Sequence, residues 1–146
     1  MIDWYCVQLA TSLCDLILVN INPNYQVKEL EFALNKVQCT ALVMTDSLKT
    51  SSYTEMLEKI APEIVSLKTG QILNSKHLPH LKHIIKIDNT AKPNSGCYIN
   101  LEEIIQKGKN PQNLELVKIA EPKIQPEDPT NIQFTSGTTG FPKAST

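Results

Sequence analysis

Apolar residues in the first third of the chain keep two different rhythms. From position 4 to position 14, Trp4, Val7, Leu9, Ala10, Leu13 and Cys14 recur near every third or fourth residue, the spacing of one helical stripe. "LILVNI" follows from Leu16, a short and almost unbroken apolar run of the kind that forms a buried strand. "NPNY", residues 22–25, is a turn by composition. Helical spacing then returns: Val27, Leu30, Leu34 and Val37 share a face, while Lys28, Glu29, Glu31 and Lys36 point mostly away from it. "TALVMT", residues 40–45, is a second apolar run. Strand, helix of about three turns and strand make a βαβ unit, which predicts an α/β fold built of parallel-type layers with a right-handed crossover.

The same rhythms continue with more interruptions. "YTEMLEKIA" predicts a short amphipathic helix ending at Pro62, and "LKHIIKID" predicts a third strand around residues 84–87. The stretch between them has no clear period. In "NLEEIIQKG", Asn100 stands as an N-cap with Glu103 three residues on, and Gly108 stands just past the end as a C-cap. Between residues 110 and 129 four prolines interrupt the chain, which predicts a loop or short helix and then an extended lead-in. Residues 130–134 form the last predicted strand. There is no internal repeat, so the expectation is one α/β layer structure whose final strand delivers the sequence "TSGTTG".

Composition narrows the function classes. The chain has 146 residues, enough for one domain or part of one. Its net charge is -1, with both signs scattered, and this excludes the basic stripe of a nucleic-acid binder. All 14 cationic residues are lysines, so an anion site would rest on lysine, hydroxyls and backbone amides rather than on the bidentate fork of arginine. Cys6, Cys14, Cys39 and Cys97 lack CxxC spacing and sit mostly in apolar segments, where buried thiols in a reducing compartment are expected. The start carries Asp3 and no lysine before Lys28, unlike a signal or transit peptide. Apolar runs such as "LILV" fall far short of the roughly 20 residues that cross a bilayer, so no transmembrane segment is expected.

The chemistry concentrates in "QFTSGTTGFPKAST", residues 133–146. Phosphate groups need converging donors without bulky Cβ atoms in the way, and a strand that ends in Ser-Gly-Thr-Thr-Gly offers backbone amides, hydroxyls and close approach. Lys143 adds a cation. An ordinary Gly/Ser/Thr surface turn has the same composition. Two other phosphate motifs are excluded by spacing. A P-loop of the G-x-x-x-x-G-K-[ST] type needs a glycine where Pro142 stands, and a G-x-G-x-x-G fingerprint needs one where Thr135 stands.

Nine positions, Thr135-Ser136-Gly137-Thr138-Thr139-Gly140-Phe141-Pro142-Lys143, resemble without a gap the AMP-binding signature of the adenylate-forming enzymes: acyl-CoA synthetases, luciferases and the adenylation domains of peptide synthetases. "QLATSLCDLILVNINPNYQVKELEFALNKVQCTALV" resembles the stretch of these enzymes that leads through an asparagine-proline turn to the next helix. "PTNIQFTSGTTGFPK" is most similar to the acyl-CoA synthetase family member two branch, the medium-chain fatty acid ligases. The resemblance implies ATP with Mg2+ and coenzyme A as co-substrates of the full-length enzyme, and a fatty acid or other carboxylic acid as the group activated. In that family the carboxylate attacks the α-phosphate, and coenzyme A thiol then displaces AMP.

Carried over by position, Ser136, Thr138 and Thr139 are expected as hydroxyl ligands of phosphate or, for Thr138, of its magnesium. Gly137 and Gly140 let the loop close, Thr135 at its head is counted with them among the ATP-binding residues, and Lys143, also ATP-binding, is the catalytic cation that neutralises charge on departing pyrophosphate. The family continues Pro-Lys-Gly, whereas Ala144 follows Lys143 here, which would restrict the backbone wherever that glycine takes positive φ. By the same resemblance residues 1–146 are a partial AMP-binding N-terminal domain, incomplete at both ends and without the C-terminal catalytic domain. Such a piece is expected to be inactive as a ligase alone, and the branch is largely mitochondrial. The alternative is a non-catalytic module that binds a nucleotide or a partner.

Other residues carry milder expectations. His77, His80 and His83 repeat every third position, but Pro79 interrupts the helix that would align them, and a solvated segment before a strand is expected. Asp46 and Asp88 each follow a predicted strand, where helix capping and turn chemistry are expected. Trp4, Phe32 and Tyr25 are assigned to core or turn packing.

Overall fold

The computed structural model describes residues 2–87, 96–135 and 142–145. Helix α1 (Ile2–Leu13) leads to strand β1 (Leu18–Asn20), followed by α2 (Val27–Lys36), β2 (Ala41–Met44), a small hairpin of β3 (Ser47–Leu48) and β4 (Ser51–Ser52), and α3 (Tyr53–Ile60). A 3-10 turn at Pro62–Ser66 precedes β5 (His83–Lys86), β6 (Tyr98–Asn100), α4 (Leu101–Gly108) and α5 (Pro111–Ala120). A second 3-10 turn, Glu121–Lys123, leads to β7 (Asn131–Thr135) and β8 (Lys143–Ser145). The chain divides into two units, residues 22–104 and residues 1–21 with 105–146.

Residues 22–104 hold every fully buried apolar side chain among the described residues. β2, β5 and β6 form a parallel sheet in that order, with Leu42 opposite Ile84 and Ile85 opposite Ile99. α2 contributes Leu30, Ala33 and Leu34, and α3 contributes Met56, Leu57 and Ile60, each set lying on one face at the i, i+3, i+4 or i, i+1, i+4 spacing of a buried stripe. Complete burial of a side chain such as Leu57 or Ile84 is worth about 1.5–3 kcal/mol relative to exposure. The irregular segment between the 3-10 turn and β5 is also core: Leu73, Leu78 and Leu81 are buried, and Leu73 N–H donates to the Lys82 carbonyl at 3.0 Å. This is why residues 63–82 show no period in sequence, since irregular backbone buries side chains at irregular intervals.

Helix ends follow local chemistry. The Gln26 amide donates to the Glu29 carboxylate at 3.2 Å at the start of α2. At its end Cys39 N–H donates to Leu34 O at 2.9 Å and Gln38 N–H to Asn35 O at 3.1 Å, the paired bonds of a Schellman motif. Gln38 takes φ +52 there, a left-handed conformation that costs a non-glycine residue about 1–2 kcal/mol and passes unmarked in the sequence. Ser52 caps α3 by accepting from Glu55 N–H at 3.4 Å. Asn100 accepts from Glu102 N–H at 2.8 Å, as its N-cap reading requires. Gly96 enters β6 at φ +105, where a Cβ would come within 3.0 Å of both the Ile64 carbonyl and the Tyr98 ring.

Four expectations need correction. First, the strands that flank α2 do not share a sheet: β1 pairs with β7, and β2 with β5. The βαβ unit of this fold is β2–α3–β5, because apolar period identifies a strand without naming its partner. Second, the predicted last strand is followed by β8. Third, Gly108 is the last residue of α4 and not the cap beyond its end; the short helix expected after it is α5, which Pro111 begins with Asn110 accepting from Gln112 N–H at 3.0 Å, since proline at the first helical position lacks only an amide that would have no partner. Fourth, the cysteines are not uniformly buried: Cys97 is buried, Cys14 and Cys39 are half-buried, and Cys6 is exposed. Burial pushes the Cys39 thiol up to about 11, and its Sγ donates to the Ala41 carbonyl at 3.1 Å.

In the other unit, α1 forms where the stripe predicted it, but Trp4, Leu9 and Leu13 are exposed. Ile105, Leu114, Leu116 and Ile119 in α4 and α5 are exposed as well. Among the described residues, no helix is long and apolar enough to cross a membrane.

Candidate functional site

The sheet of the unit that holds both termini runs β1-β7-β8. β1 and β7 are parallel, with Leu18 opposite Asn131, Val19 opposite Ile132 and Asn20 opposite Gln133. Leu18 N–H donates to the Thr130 carbonyl at 3.0 Å, which sets that register one residue before β7 begins. Approach to β1 is equally defined. α1 ends in a turn in which Leu16 N–H donates to Thr11 O at 3.0 Å and Asp15 takes φ +56. The Trp4 indole N–H donates to Asn20 Oδ1 at 3.1 Å, tying α1 to the carboxyl end of β1. Because β1 and β7 are parallel, both end at the same edge of the sheet. The hydroxyl- and glycine-rich loop leaves from that edge, where open α/β sheets place ligand groups.

Of the seven site residues proposed from sequence, the structure describes two. Ser136, Gly137, Thr138, Thr139 and Gly140 lie outside the described residues, as does Asp88. Thr135 and Lys143 are directly opposite each other in the antiparallel pairing of β7 with β8, followed by Phe134 opposite Ala144 and Gln133 opposite Ser145. The Thr135 hydroxyl donates to the Lys143 carbonyl at 3.4 Å. Directly opposed residues of an antiparallel pair share a face, so Thr135 and Lys143 project together, and Phe134 and Ala144 project to the opposite side. Lys143 is exposed and makes no ion pair among the described residues.

β8 is what sequence reasoning missed at this site. Three residues carry too little alternation to register as a strand, and only pairing with β7 defines it. The pairing also answers the question raised by Ala144. Among the described residues the non-glycine positions with positive φ are Asp15, Gln38 and Lys49, so Ala144 adopts extended backbone that an alanine takes without strain.

The Lys143 ammonium suits an anion: it is exposed, and among the described residues no carboxylate is paired to it, whereas the Thr135 hydroxyl opposite gives its proton to the Lys143 carbonyl. Thr138, the proposed magnesium ligand, is not among them. No group of three or more His, Cys, Asp or Glu side chains able to hold a metal occurs among the described residues.

Asp46 and His77 belong to the packing of residues 22–104. Asp46 receives Tyr53 N–H and Thr54 N–H on its carbonyl at 3.0 and 3.4 Å, while its carboxylate accepts from the Thr54 hydroxyl and from Lys86 Nζ at 2.8 Å. It therefore serves the first turn of α3, with a lysine partner 40 residues away that sequence gave no hint of. Lys86 Nζ also stands 4.0 Å from the centroid of the Tyr98 ring. Tyr98 donates its hydroxyl to Glu58 at 3.0 Å, and burial followed by the Glu58 charge pushes its pKa up. His77 meets Glu31 at 3.1 Å, a carboxylate distant in sequence, while Asn35 donates to the His77 carbonyl at 2.8 Å. Trp4 is exposed rather than core, and Phe32 and Tyr25 are half-buried.

A mixed α/β chain whose parallel strands deliver such a hairpin fits the nucleotide-binding α/β class. Comparison with known proteins carries this further. The family model for the AMP-binding enzyme matches residues 1–145. This chain belongs to the AMP-binding enzyme family. It is 42% identical over 143 residues to the protein named "Medium-chain acyl-CoA ligase ACSF2, mitochondrial" of Macaca fascicularis, covering 98% of this chain and 22% of that one. The protein of the same name from Danio rerio is 40% identical over 144 residues, covering 99% of this chain and 23% of that one. The chain thus spans about a fifth of the length of these relatives. Among solved structures, a natural red-emitting luciferase from Phrixothrix hirtus matches with a TM-score of 0.51 at 20% identity, covering 99% of this chain and 23% of that one, which supports the fold.

Proposed function

We propose that this chain carries the phosphate-binding hairpin of an ATP-dependent carboxylic acid:CoA ligase of the medium-chain fatty acyl type. The observation that carries the reading is the pairing of β7 with β8, which sets Lys143 directly across from the residue that opens the Ser-Gly-Thr-Thr-Gly loop. Family membership and the names of the matched relatives support the class of reaction. In this reading Ser136, Thr138 and Thr139 supply hydroxyls to the β- and γ-phosphates, with Thr138 reaching their Mg2+. Gly137 and Gly140 let the backbone close on the phosphates. The fatty acid carboxylate attacks the α-phosphate, pyrophosphate leaves, and coenzyme A thiol then displaces AMP to give the thioester. Lys143 lowers the barrier of the first step by meeting charge that develops on the departing pyrophosphate.

The chain is further proposed to be part of the amino-terminal domain of a longer enzyme that works in mitochondria, in keeping with its share of the matched relatives and with their names. Residues 1–146 alone would then lack ligase activity, because the loop reaches only the phosphates of ATP. The test is acid-dependent exchange of labelled pyrophosphate into ATP by the natural polypeptide that carries this sequence, with a medium-chain fatty acid as substrate. Lys143→Ala should lower kcat for exchange by about 100-fold or more, the usual effect of deleting one donor to developing charge. Exchange that survives the substitution unchanged would remove Lys143 from the mechanism. A wild-type polypeptide that binds MgATP but exchanges nothing would favour the non-catalytic module.

A further inference from the structure

We infer that Thr135 and Ala144 are positioning residues that hold the backbone of Lys143 in strand register before any ligand arrives; this rests on the phosphate-binding reading of the hairpin. Lysine is a long, flexible cation, and its value to a reaction depends on how well its backbone is anchored. Two observations supply the anchor. The Thr135 hydroxyl is directed at the Lys143 carbonyl, 3.4 Å away across the ladder, so this side chain is engaged with the backbone that carries the cation. On the opposite face Ala144 is half-buried and directly opposite Phe134, in extended backbone. A methyl group there gives the aromatic ring a cross-strand neighbour and narrows the conformations open to β8, where glycine would do neither. Thr135 is thereby assigned to the hinge of the hairpin rather than to the phosphates.

The test combines single and double variants in the natural polypeptide that carries residues 1–146. Thr135→Val keeps the shape and deletes the hydroxyl; Thr135→Ser restores it; Ala144→Gly removes the methyl. Thr135→Val is expected to lower kcat for pyrophosphate exchange about fivefold, the effect of one ordinary hydrogen bond, with KM for ATP almost unchanged. Thr135→Ser should recover the rate. In a Lys143→Ala background the Thr135→Val loss should vanish, because the hydroxyl acts through Lys143. Independently of activity, hydrogen exchange of the β8 amides that bond to β7 should speed up in Thr135→Val and in Ala144→Gly. If Lys143→Ala is strongly impaired but the Thr135→Val loss multiplies with it, or if KM for ATP rises instead of kcat falling, the hydroxyl acts on ligand and the positioning role is overturned. If Lys143→Ala itself leaves exchange intact, the phosphate-binding reading fails, and the positioning role falls with it.

Discussion

Lys86→Met isolates what one ammonium group contributes to the parallel sheet of residues 22–104. Methionine keeps an unbranched side chain of similar reach, so the packing of the stem survives and only the charge is lost. Two interactions go with it. Lys86 Nζ lies 2.8 Å from Asp46 Oδ1, with the lysine side chain 18% exposed and the aspartate 50% exposed. An ion pair this open to water on one side contributes about 0.5–1 kcal/mol, far below the Coulomb energy of the bare charges. The same ammonium stands 4.0 Å from the Tyr98 ring centroid, which adds about 0.5–1 kcal/mol. The sum, about 1–2 kcal/mol, corresponds to a factor of about 5–30 in a local opening equilibrium. Ile87 N–H, which donates to the Met44 carbonyl at 2.9 Å just beyond Lys86, is the natural reporter. Its amide hydrogen exchange under conditions of fast reclosing should accelerate by that factor in Lys86→Met. A double-mutant cycle with Asp46→Asn should return a coupling of at most about 1 kcal/mol for the ion pair. An unchanged rate at Ile87, or faster exchange with no coupling to Asp46, would refute the claim that this cation ties β5 to the end of β2.

Two further outcomes follow from burial. The Cys39 thiol, raised from 9.0 to about 11 by burial, stays protonated in the folded chain at pH values where the unfolded chain has lost the proton. The folded state then binds more protons, so stability is complete below about pH 9 and falls by about 1.4 kcal/mol per pH unit between pH 9 and 11. Cys39→Ala should flatten that decline in a series of denaturation measurements from pH 8 to 10.5, while Cys97, shifted upward by burial as well, keeps part of it; an identical decline in the variant would refute the assignment. Hydrogen exchange of the 146-residue chain should also separate its two units, because burial concentrates in one of them. Amides of Ile84 and Leu57 should be protected by far more than those of α1 and α5, whose Leu9, Leu114 and Leu116 are exposed, and equal protection throughout would count against the division.

Much of the local structure, and the identity of the loop, could be read directly from residue order. Helices α2 and α3 stand where apolar period puts them, and α4 starts where Asn100 puts it though it runs through Gly108, since Leu30 and Leu34, or Asn100 and Glu102, are near neighbours and their interactions are set by local geometry. The nine-residue signature ending at Lys143 was legible for the same reason, as its chemistry lies in one unbroken stretch. Period alone said which residues wanted burial but not against what. Only the tertiary structure decided that β1 joins β7 and leaves β2 to β5, that three residues after the loop become β8, and that Lys86 meets Asp46 and Tyr98. Each of those choices joins residues whose pairing carries no local mark: Leu18 and Asn131 are far apart in the chain, and the strand Lys143–Ser145 is too short to declare itself. Local spacing determines the faces of the elements, whereas their partners are chosen by which long-range pairing satisfies the backbone and buries the most apolar surface at once.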